Sequence, residues 1–199
     1  MVNFISISGK ANSGKNTIAE LIFKRLGLNK NSQYVIPKCQ ILAFADPIKE
    51  MAMIMFPYVK REFFYGSSKL RNYIIPGAFK NGTPLTVRQL LIDIGSGLGK
   101  QYNPNIWIEN LDRMLNAQSI NTSVIVPDVR FREEFDYLKS KNFTQIRILR
   151  DDIAKSQDLS EISQEEIKDD EFDYVIYNNG TLEDLKDKIT DIMNDIINQ

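Results

Sequence analysis

Short apolar runs alternate along the chain with segments in which apolar residues recur at helical spacing. The runs with the length and composition of strands are Val2–Ile7, Gln40–Ala45, Ser123–Pro127, Gln145–Leu149 and Tyr174–Tyr177. The segments with helical spacing are Ile18–Leu26, Asp46–Phe56, Val87–Lys100, a stretch from Pro104, Phe131–Lys141 and the stretch after Thr181. This alternation predicts an α/β fold in which helices cover both faces of a mostly parallel sheet.

Residues that begin helices stand at three of these boundaries. Asp46, which is followed by a proline, is predicted as an N-cap, and so are Thr86 and Thr181. Arg88 lies in the first turn of its helix, where the positive helix end disfavours a cation unless an anion is nearby. The Gly95–Gly99 stretch of the same helix holds poor helix formers, so another helix or a ligand is expected to approach it closely.

Three stretches lack a sustained period. Gly27–Pro37 is predicted as a loop, and the acidic segment 151–171 is predicted as a mobile flap or a short lid. Pro57–Pro84 is predicted as an irregular insert that carries several basic and aromatic residues. Those residues could bind a phosphate and flank a base, or they could form a mobile basic surface, and composition leaves both open.

The stretch Gly9–Thr17, read GKANSGKNT, joins the first strand to the first helix and fits the signature G-x-x-x-x-G-K. Gly9 and Gly14 allow consecutive N–H groups to point at an anion, and the helix N-terminus adds positive charge. Lys15 can reach the outer phosphates of a nucleotide. The alternative is a glycine-containing turn without a ligand, but the strand and helix on either side favour a phosphate-binding loop.

Two positions in this loop depart from the general pattern. Asn16 stands where a hydroxyl residue usually contacts magnesium, and Thr17 is the nearest substitute. Asn12 stands where glycine is common, and asparagine is one of the few other residues that tolerate the left-handed region. A G-K-x-T ending occurs in nucleoside monophosphate kinases.

An acid and two arginines follow the apolar run at Ser123–Pro127. Asp128 has the placement of the second carboxylate of phosphate-loop enzymes, which holds magnesium directly or through water. Arg130 is near Asp128 in sequence and is expected beside it, where its guanidinium could neutralise charge on the phosphoryl group during transfer. The alternative is a surface salt bridge between a strand and the next helix.

Composition excludes several other functions. The chain has 199 residues, 43% of them hydrophobic, which is enough for one domain with a substantial core, and its net charge of −1 gives no overall attraction to nucleic acid or an anionic membrane. The lone Cys39 excludes an internal disulfide and a cysteine metal cluster. The lack of histidine excludes imidazole bases and histidine-bound zinc. Without a signal-like or membrane-spanning run, we expect a cytoplasmic protein, in the host cytoplasm if it is viral.

Several strings in unchanged order resemble the bacteriophage-type deoxynucleoside monophosphate kinases. They are GK-x(3)-GK-x-T, FADPIKE, G-x(4)-R at Gly66–Arg71, TVRQLLIDIGSGLG, NPNIW, VIVPDVRF, LSE at 159–161 and DYVIYNNGTLEDL. The resemblance implies a three-layer α/β/α phosphate-loop kinase formed by one domain, with an acceptor-nucleotide region at 57–101 and a lid-like segment at 151–171. It also implies ATP-dependent phosphorylation of a deoxynucleoside monophosphate, with Mg²⁺ and small-molecule nucleotides as partners. A homodimer is compatible with it.

The resemblance assigns roles residue by residue. Implied ATP-binding residues are Gly9, Lys10, Ala11, Asn12, Ser13, Gly14, Lys15, Asn16, Thr17, Asn179 and Gly180. Implied acceptor-binding residues are Ile48, Lys49, Arg71, Arg88, Gly95, Ser96, Trp107, Asp128 and Arg130. Lys15, Arg130 and Asp128 are the implied catalytic residues, Thr17 and Asp128 the implied metal ligands, and Arg150 an implied lid residue.

Two other functions stay open from the sequence. One is a different small-molecule kinase of this fold, acting on a coenzyme precursor or a nucleoside. The other is a nucleotide-binding switch, although the chain has no N-K-x-D string for reading guanine. For single residues the plainer alternatives are a solvated charge for Lys49 and core packing for Trp107.

Overall fold

The computed structural model describes residues 2–27, 39–151 and 163–198. The chain forms two compact units, Met1–Ala43 with Met114–Gln199, and Phe44–Arg113. The predicted loop after Gly27 and most of the 151–171 segment lie outside the described residues. The predicted single domain with its two functional regions stays a prediction.

The described residues form helices and strands close to those predicted. The strands are β1 (Phe4–Gly9), β2 (Cys39–Ile41), β3 (Ile74–Lys80), β4 (Thr83–Thr86), β5 (Ser123–Val129), β6 (Thr144–Leu149) and β7 (Tyr174–Tyr177). The α-helices are α1 (Lys15–Gly27), α2 (Asp46–Met55), α3 (Glu62–Tyr65), α4 (Val87–Ile92), α5 (Lys100–Tyr102), α6 (Ile106–Asn116), α7 (Arg132–Ser140) and α8 (Leu182–Asn198). Short 3₁₀ turns span Leu70–Asn72, Ser163–Glu166 and Asp169–Glu171, and a π-helix spans Asp93–Gly99.

The larger unit is built on a five-stranded sheet in the order β2-β5-β1-β6-β7. Every neighbouring pair in it is parallel, which confirms the predicted α/β fold. β1 lies at the centre, so the loop that follows it stands at the carboxyl edge of the sheet. In open α/β sheets this edge is the usual ligand site.

The two faces of the sheet differ in chemistry. On one face Ile5 and Ile7 of β1 join a buried apolar cluster with residues of β6, α1 and α8. On the other face Ser6 and Ser8 of β1 are buried beside Gln145 and Arg147 of β6. Because strand side chains alternate, one strand supplies an apolar core to the first face and a polar strip to the second.

Cys39, the cysteine of β2, belongs to the apolar cluster and is 1% exposed. Burial raises the pKa of its thiol to about 11. The thiol is therefore protonated at neutral pH and has a packing role.

Two predicted element boundaries are wrong in detail. The strand predicted at Gln40–Ala45 ends at Ile41, and Leu42 N–H makes one further bond to Ile125 O (3.0 Å) before the chain leaves the sheet. Asp46 is not an N-cap, because Ala45 holds that position and Asp46 is already helical. The Asp46 carboxylate instead accepts a hydrogen bond from Lys49 Nζ at 2.9 Å.

Two other predicted caps are confirmed. Thr86 precedes α4, and its hydroxyl accepts a hydrogen bond from Gln89 N–H (3.2 Å). Thr181 precedes α8, and its hydroxyl accepts one from Asp184 N–H (3.2 Å). The Asp184 carboxylate returns the bond by accepting from Thr181 N–H (2.7 Å), so two donors at the start of α8 are satisfied.

The stretch predicted as an irregular insert contains regular structure. β3 and β4 pair as an antiparallel hairpin, and the turn residues Asn81 and Gly82 have φ of 51° and 78°. An Asn-Gly pair between two strands is a strong hairpin signal, because both residues readily adopt positive φ. Proline and glycine elsewhere in the stretch had obscured this signal.

The predicted helix Val87–Lys100 is helical throughout but changes its winding at the glycines. It runs as α4, then as the π-helix Asp93–Gly99, then as α5. π-helical turns occur frequently at functional sites. Among the described residues, no helix is long and apolar enough to cross a membrane.

Candidate functional site

The loop between β1 and α1 has the backbone geometry that its glycines predict. Asn12 has φ of 63° and Gly14 has φ of 107°, both in the region that most side chains avoid. Ser13 N–H donates to Lys10 O (3.1 Å), which closes a turn inside the loop. Asn12 therefore takes the left-handed conformation for which asparagine is suited.

Neighbouring groups leave no space for a side chain at either glycine. A Cβ at Gly9 would lie 2.6 Å from Ile148 O. A Cβ at Gly14 would lie 2.5 Å from Asn178 Nδ2. Gly9 thus requires glycine on steric grounds, because a backbone oxygen blocks the position, and Gly14 requires it for its backbone conformation.

Lys15 begins α1 and is 9% exposed. Its ammonium group donates hydrogen bonds to Gly9 O and, at 2.7 Å, to Lys10 O, so it lies against the start of the loop. Ile18 N–H donates a helical hydrogen bond to Gly14 O (3.0 Å), so the N–H groups of Asn16 and Thr17 lie at the N-terminus of α1. A lysine and a helix N-terminus at one loop make a positive site suited to phosphate.

β5 brings Asp128 to the same edge of the sheet. The register of β5 against β1 shifts between Ser6↔Val126 and Ser8↔Val129, so β5 bulges at its end. Asp128 lies within this bulge, next to Val129, which pairs with Ser8. Ser8 directly precedes Gly9, the first residue of the loop. Bulges commonly re-aim a side chain beside a functional site.

The chain after β5 is held by the first turn of α7. The Glu134 carboxylate, 6% exposed, accepts hydrogen bonds from Arg130 N–H (2.8 Å) and Phe131 N–H (3.1 Å). These bonds fix the backbone from which the half-buried Arg130 side chain extends. Sequence reasoning had not included Glu134, because its partners are backbone groups.

Arg147 is a buried cation that sequence reasoning also missed. It is 5% exposed, and its guanidinium donates to Ser8 Oγ (3.3 Å) and Gln164 O (3.1 Å) and lies 3.3 Å from Asp169 Oδ1. Burial lowers the pKa of this guanidinium from its ordinary value, and the carboxylates of Asp169 and Glu165 oppose that shift. The available signal was the alternation of polar and apolar residues along both β1 and β6.

A cavity of about 290 Å³ lies beside the loop within the same unit. Its lining residues are Lys10, Arg147, Ile148, Leu149, Arg150, Asp151 and Tyr177. Three of these are cations, and Lys10 Nζ forms an ion pair with Glu165 (2.7 Å). Its lining thus combines three cations with one acid, Asp151, and the side chains of Ile148, Leu149 and Tyr177.

The turn after β7 meets the end of β6 at the rim of this cavity. Asn179 Oδ1 accepts a hydrogen bond from Asp151 N–H (3.0 Å), and Asn179 Nδ2 donates to Asp151 Oδ2 (2.7 Å). Asn178 donates from Nδ2 to Ser13 O (2.7 Å). Gly180 and Arg150 are exposed next to these contacts.

In the second unit, two helices approach the π-helix closely. Trp107 is 5% exposed, and its Nε1–H donates to Gly95 O (2.8 Å). A Cβ at Gly99 would lie 2.2 Å from Trp107 Cζ2, and one at Gly95 would lie 3.0 Å from Ile48 Cδ1. Helix packing thus accounts for Gly95 and Gly99, and Trp107 packs in the core of its unit.

The predicted acceptor cations of this unit are held by neighbouring groups. Lys49 pairs with Asp46 and lies over the Tyr65 ring, with its Nζ 4.7 Å from the ring centroid. Arg88 donates from Nη2 to Ser68 O (2.9 Å) and from Nε to Asn72 Oδ1 (3.2 Å). The second contact brings Arg88 next to the 3₁₀ turn that carries Arg71. Ser96 is exposed on the π-helix.

A family model described as deoxynucleotide monophosphate kinase matches residues 63–189, which is more than half of the chain. The chain belongs to this family. A relative of similar length is the "Putative deoxynucleotide monophosphate kinase" of Acanthamoeba polyphaga mimivirus, which is 28% identical over 197 residues and 93% covered on both sides. The dephospho-CoA kinase from Campylobacter jejuni has a similar structure, with a TM-score of 0.51, 16% identity and 98% of each chain covered. This last likeness concerns the fold alone.

Membership of the deoxynucleotide monophosphate kinase family establishes a kinase and nucleotide substrates. It does not assign the individual site residues, whose roles stay predictions. Among the described residues, no group of three or more acidic or cysteine side chains could hold a metal ion. The exposed hydroxyl of Thr17 and the carboxylate of Asp128 are suitable donors.

Proposed function

We propose that the protein transfers the γ-phosphoryl group of ATP to a deoxynucleoside monophosphate, giving the deoxynucleoside diphosphate and ADP. The observation that carries the proposal is the loop between β1 and α1. Its two glycines have no room for side chains, and the Lys15 ammonium lies on its carbonyl groups. A loop of this construction binds a chain of phosphates, and family membership supports the acceptor.

On the donor side, residues Gly9 to Thr17 bind the ATP phosphates. Lys15 and Arg130 stabilise charge on the moving phosphoryl group, since phosphoryl transfer depends mainly on positioning and charge neutralisation. Asn179 and Gly180 bind the adenine, next to the cavity beside the loop. Arg150 acts with the lid segment to exclude water.

Thr17 and Asp128 would hold Mg²⁺. When bound, the ion neutralises charge on the transferred and leaving phosphates. The N–H groups of the loop provide further positive potential without any metal ligand of their own.

On the acceptor side, a set of nine residues binds the monophosphate. The proposed residues are Ile48, Lys49, Arg71, Arg88, Gly95, Ser96, Trp107, Asp128 and Arg130. Arg71 and Arg88 bind the acceptor phosphate, which explains a cation in the first turn of α4.

The proposal is tested with purified protein, ATP, Mg²⁺ and a panel of acceptors. The panel holds deoxynucleoside and ribonucleoside monophosphates, nucleosides and dephospho-coenzyme A. Formation of a deoxynucleoside diphosphate with stoichiometric ADP is expected. Phosphorylation of a nucleoside or the coenzyme precursor would identify a different kinase, and slow ATP hydrolysis without any acceptor would identify a nucleotide-binding switch. The cytoplasmic location stays part of the proposal.

Arg88→Lys is expected to raise KM for the acceptor monophosphate about tenfold, the size of one charged hydrogen bond. Lysine keeps the charge but cannot reproduce the planar fork by which Arg88 reaches both Ser68 and Asn72. Initial rates at varied acceptor and varied ATP give the two KM values. KM for ATP is expected to stay unchanged.

The matched control for this variant is Arg113→Lys, at an exposed position of α6 in the same unit. Both KM values of that variant should equal those of the wild type. Equal acceptor KM values in the Arg88 and Arg113 variants would remove Arg88 from the acceptor site.

A further inference from the structure

We infer that Asn178 is a positioning residue that sets the direction of a phosphate-binding N–H in the loop, that of Gly14. The inference rests on the proposed function, because it concerns how the same loop binds ATP. It gives a role to a residue that touches the loop from the far end of the chain.

Asn178 is held by the sheet on one side and holds the loop on the other. It directly follows β7, and its own N–H donates to Leu149 O at the end of β6 (2.8 Å). Its side-chain Nδ2 donates to Ser13 O (2.7 Å) across 165 residues of sequence. The half-buried side chain is therefore a link between the sheet and the loop.

The carbonyl that Asn178 binds shares a peptide group with Gly14 N–H. No cis peptide bond is present in the described residues, so the C=O of Ser13 and the N–H of Gly14 point in opposite directions. Holding Ser13 O toward Asn178 turns Gly14 N–H away from it. The bond thereby selects one orientation for an N–H of the glycine-lysine pair that defines the loop.

Close packing of Asn178 against Gly14 supports this role. A Cβ on Gly14 would lie 2.5 Å from Asn178 Nδ2, so the amide occupies the space that a side chain would need. Gly14 has φ of 107°, and because glycine lacks a Cβ, the peptide group before it can adopt other orientations when it has no partner. Asn178 removes that freedom before a ligand arrives, which is preorganisation.

Two other roles for Asn178 make different predictions. A residue that only stabilises the turn after β7 would change the melting temperature without changing ligand preference. A residue that contacts the adenine would change the affinity for adenosine without changing that for inorganic tripolyphosphate. A positioning residue changes the affinity for both ATP and tripolyphosphate and leaves adenosine unaffected.

The experiment uses the full chain as wild type, Asn178→Ala and Asn178→Ser. Serine, like asparagine, is common in turns, but its side chain is too short to donate a hydrogen bond to Ser13 O in place of the Asn178 amide. The control is Asn194→Ala in α8. It removes the side-chain oxygen that accepts a hydrogen bond from Arg25 in the last turn of α1, away from the loop. Calorimetry measures the binding of a non-hydrolysable ATP analogue, tripolyphosphate and adenosine. Spectra of ¹⁵N-glycine protein follow the Gly14 amide resonance.

We expect both Asn178 variants to bind the ATP analogue and tripolyphosphate about 10-fold to 100-fold more weakly. The variants lose one hydrogen bond, and the ligand must then order one peptide group that Asn178 holds in the wild type. Their Gly14 resonance should shift less at saturating ligand, and adenosine binding and the Asn194 control should match the wild type. Unchanged tripolyphosphate affinity in the Ser variant overturns the inference even if the Ala variant does not fold. If the wild type itself binds neither phosphate compound, the proposed function fails and the inference fails with it.

Discussion

Lys15→Met is expected to lower turnover by about two to three orders of magnitude, the usual loss when one preorganised donor to a transition state is removed. Methionine has a similar length and helix propensity, so α1 should still begin at this position. What is lost is the ammonium that lies on Gly9 O and Lys10 O at the start of the loop. Steady-state assays with ATP and the best acceptor measure the loss, and circular dichroism verifies the fold.

Lys24→Met is the matched control, because Lys24 is exposed on the same helix, far from the loop. Its turnover should equal that of the wild type. A Lys15→Met enzyme with turnover near that of the control would contradict the donor-site mechanism, whatever the acceptor is.

Gly99→Ala is expected to lower the free energy of unfolding by about 1–3 kcal/mol, which is the usual cost of overpacking a core. The added methyl would lie 2.2 Å from Trp107 Cζ2, and a rigid ring can relieve that overlap only by moving. Movement would also weaken the bond from Trp107 Nε1–H to Gly95 O (2.8 Å). Because Trp107 is the only tryptophan, its fluorescence reports the change directly during urea unfolding.

Gly97→Ala provides the comparison within the same π-helix. A Cβ at Gly97 has no heavy atom within 4 Å, and the residue is exposed. Alanine there should leave stability unchanged or raise it slightly, since it restricts the unfolded chain. Equal stability losses in the two variants would show that helix propensity, and not contact with Trp107, explains the glycines.

Features that depend on neighbours in sequence were predictable. The alternation of strands and helices gave the parallel sheet, and the signature at residues 9–17 located the loop at the edge of that sheet. Thr86 and Thr181 were recognised as caps because a cap bonds to a backbone group three residues away. The cap predicted at Asp46 was wrong because Ala45 holds the N-cap position and Asp46 is already helical.

Features that depend on distant parts of the chain were not predictable. Arg147 meets Ser8 only because β6 lies beside β1, and the same guanidinium also donates to Gln164 O. The π-helix likewise lies where Trp107 packs closely against Gly99 and Ile48 packs closely against Gly95. The alternation along β1 and β6 indicates a polar face on each strand, but no pattern within one helix or strand identifies the partners in either contact.

The sequence by itself determined the α/β class, the phosphate-loop signature and the requirement for glycine at position 14, since each follows from local backbone preferences. Only the tertiary structure decided which groups meet that loop. Asn178 reaches Ser13, and Arg147 reaches Ser8, through the pairing of strands far apart in the chain. The physical reason is that hydrogen bonds and packing act over a few ångströms in space, and a sequence pattern reports only those contacts whose partners are also close along the chain.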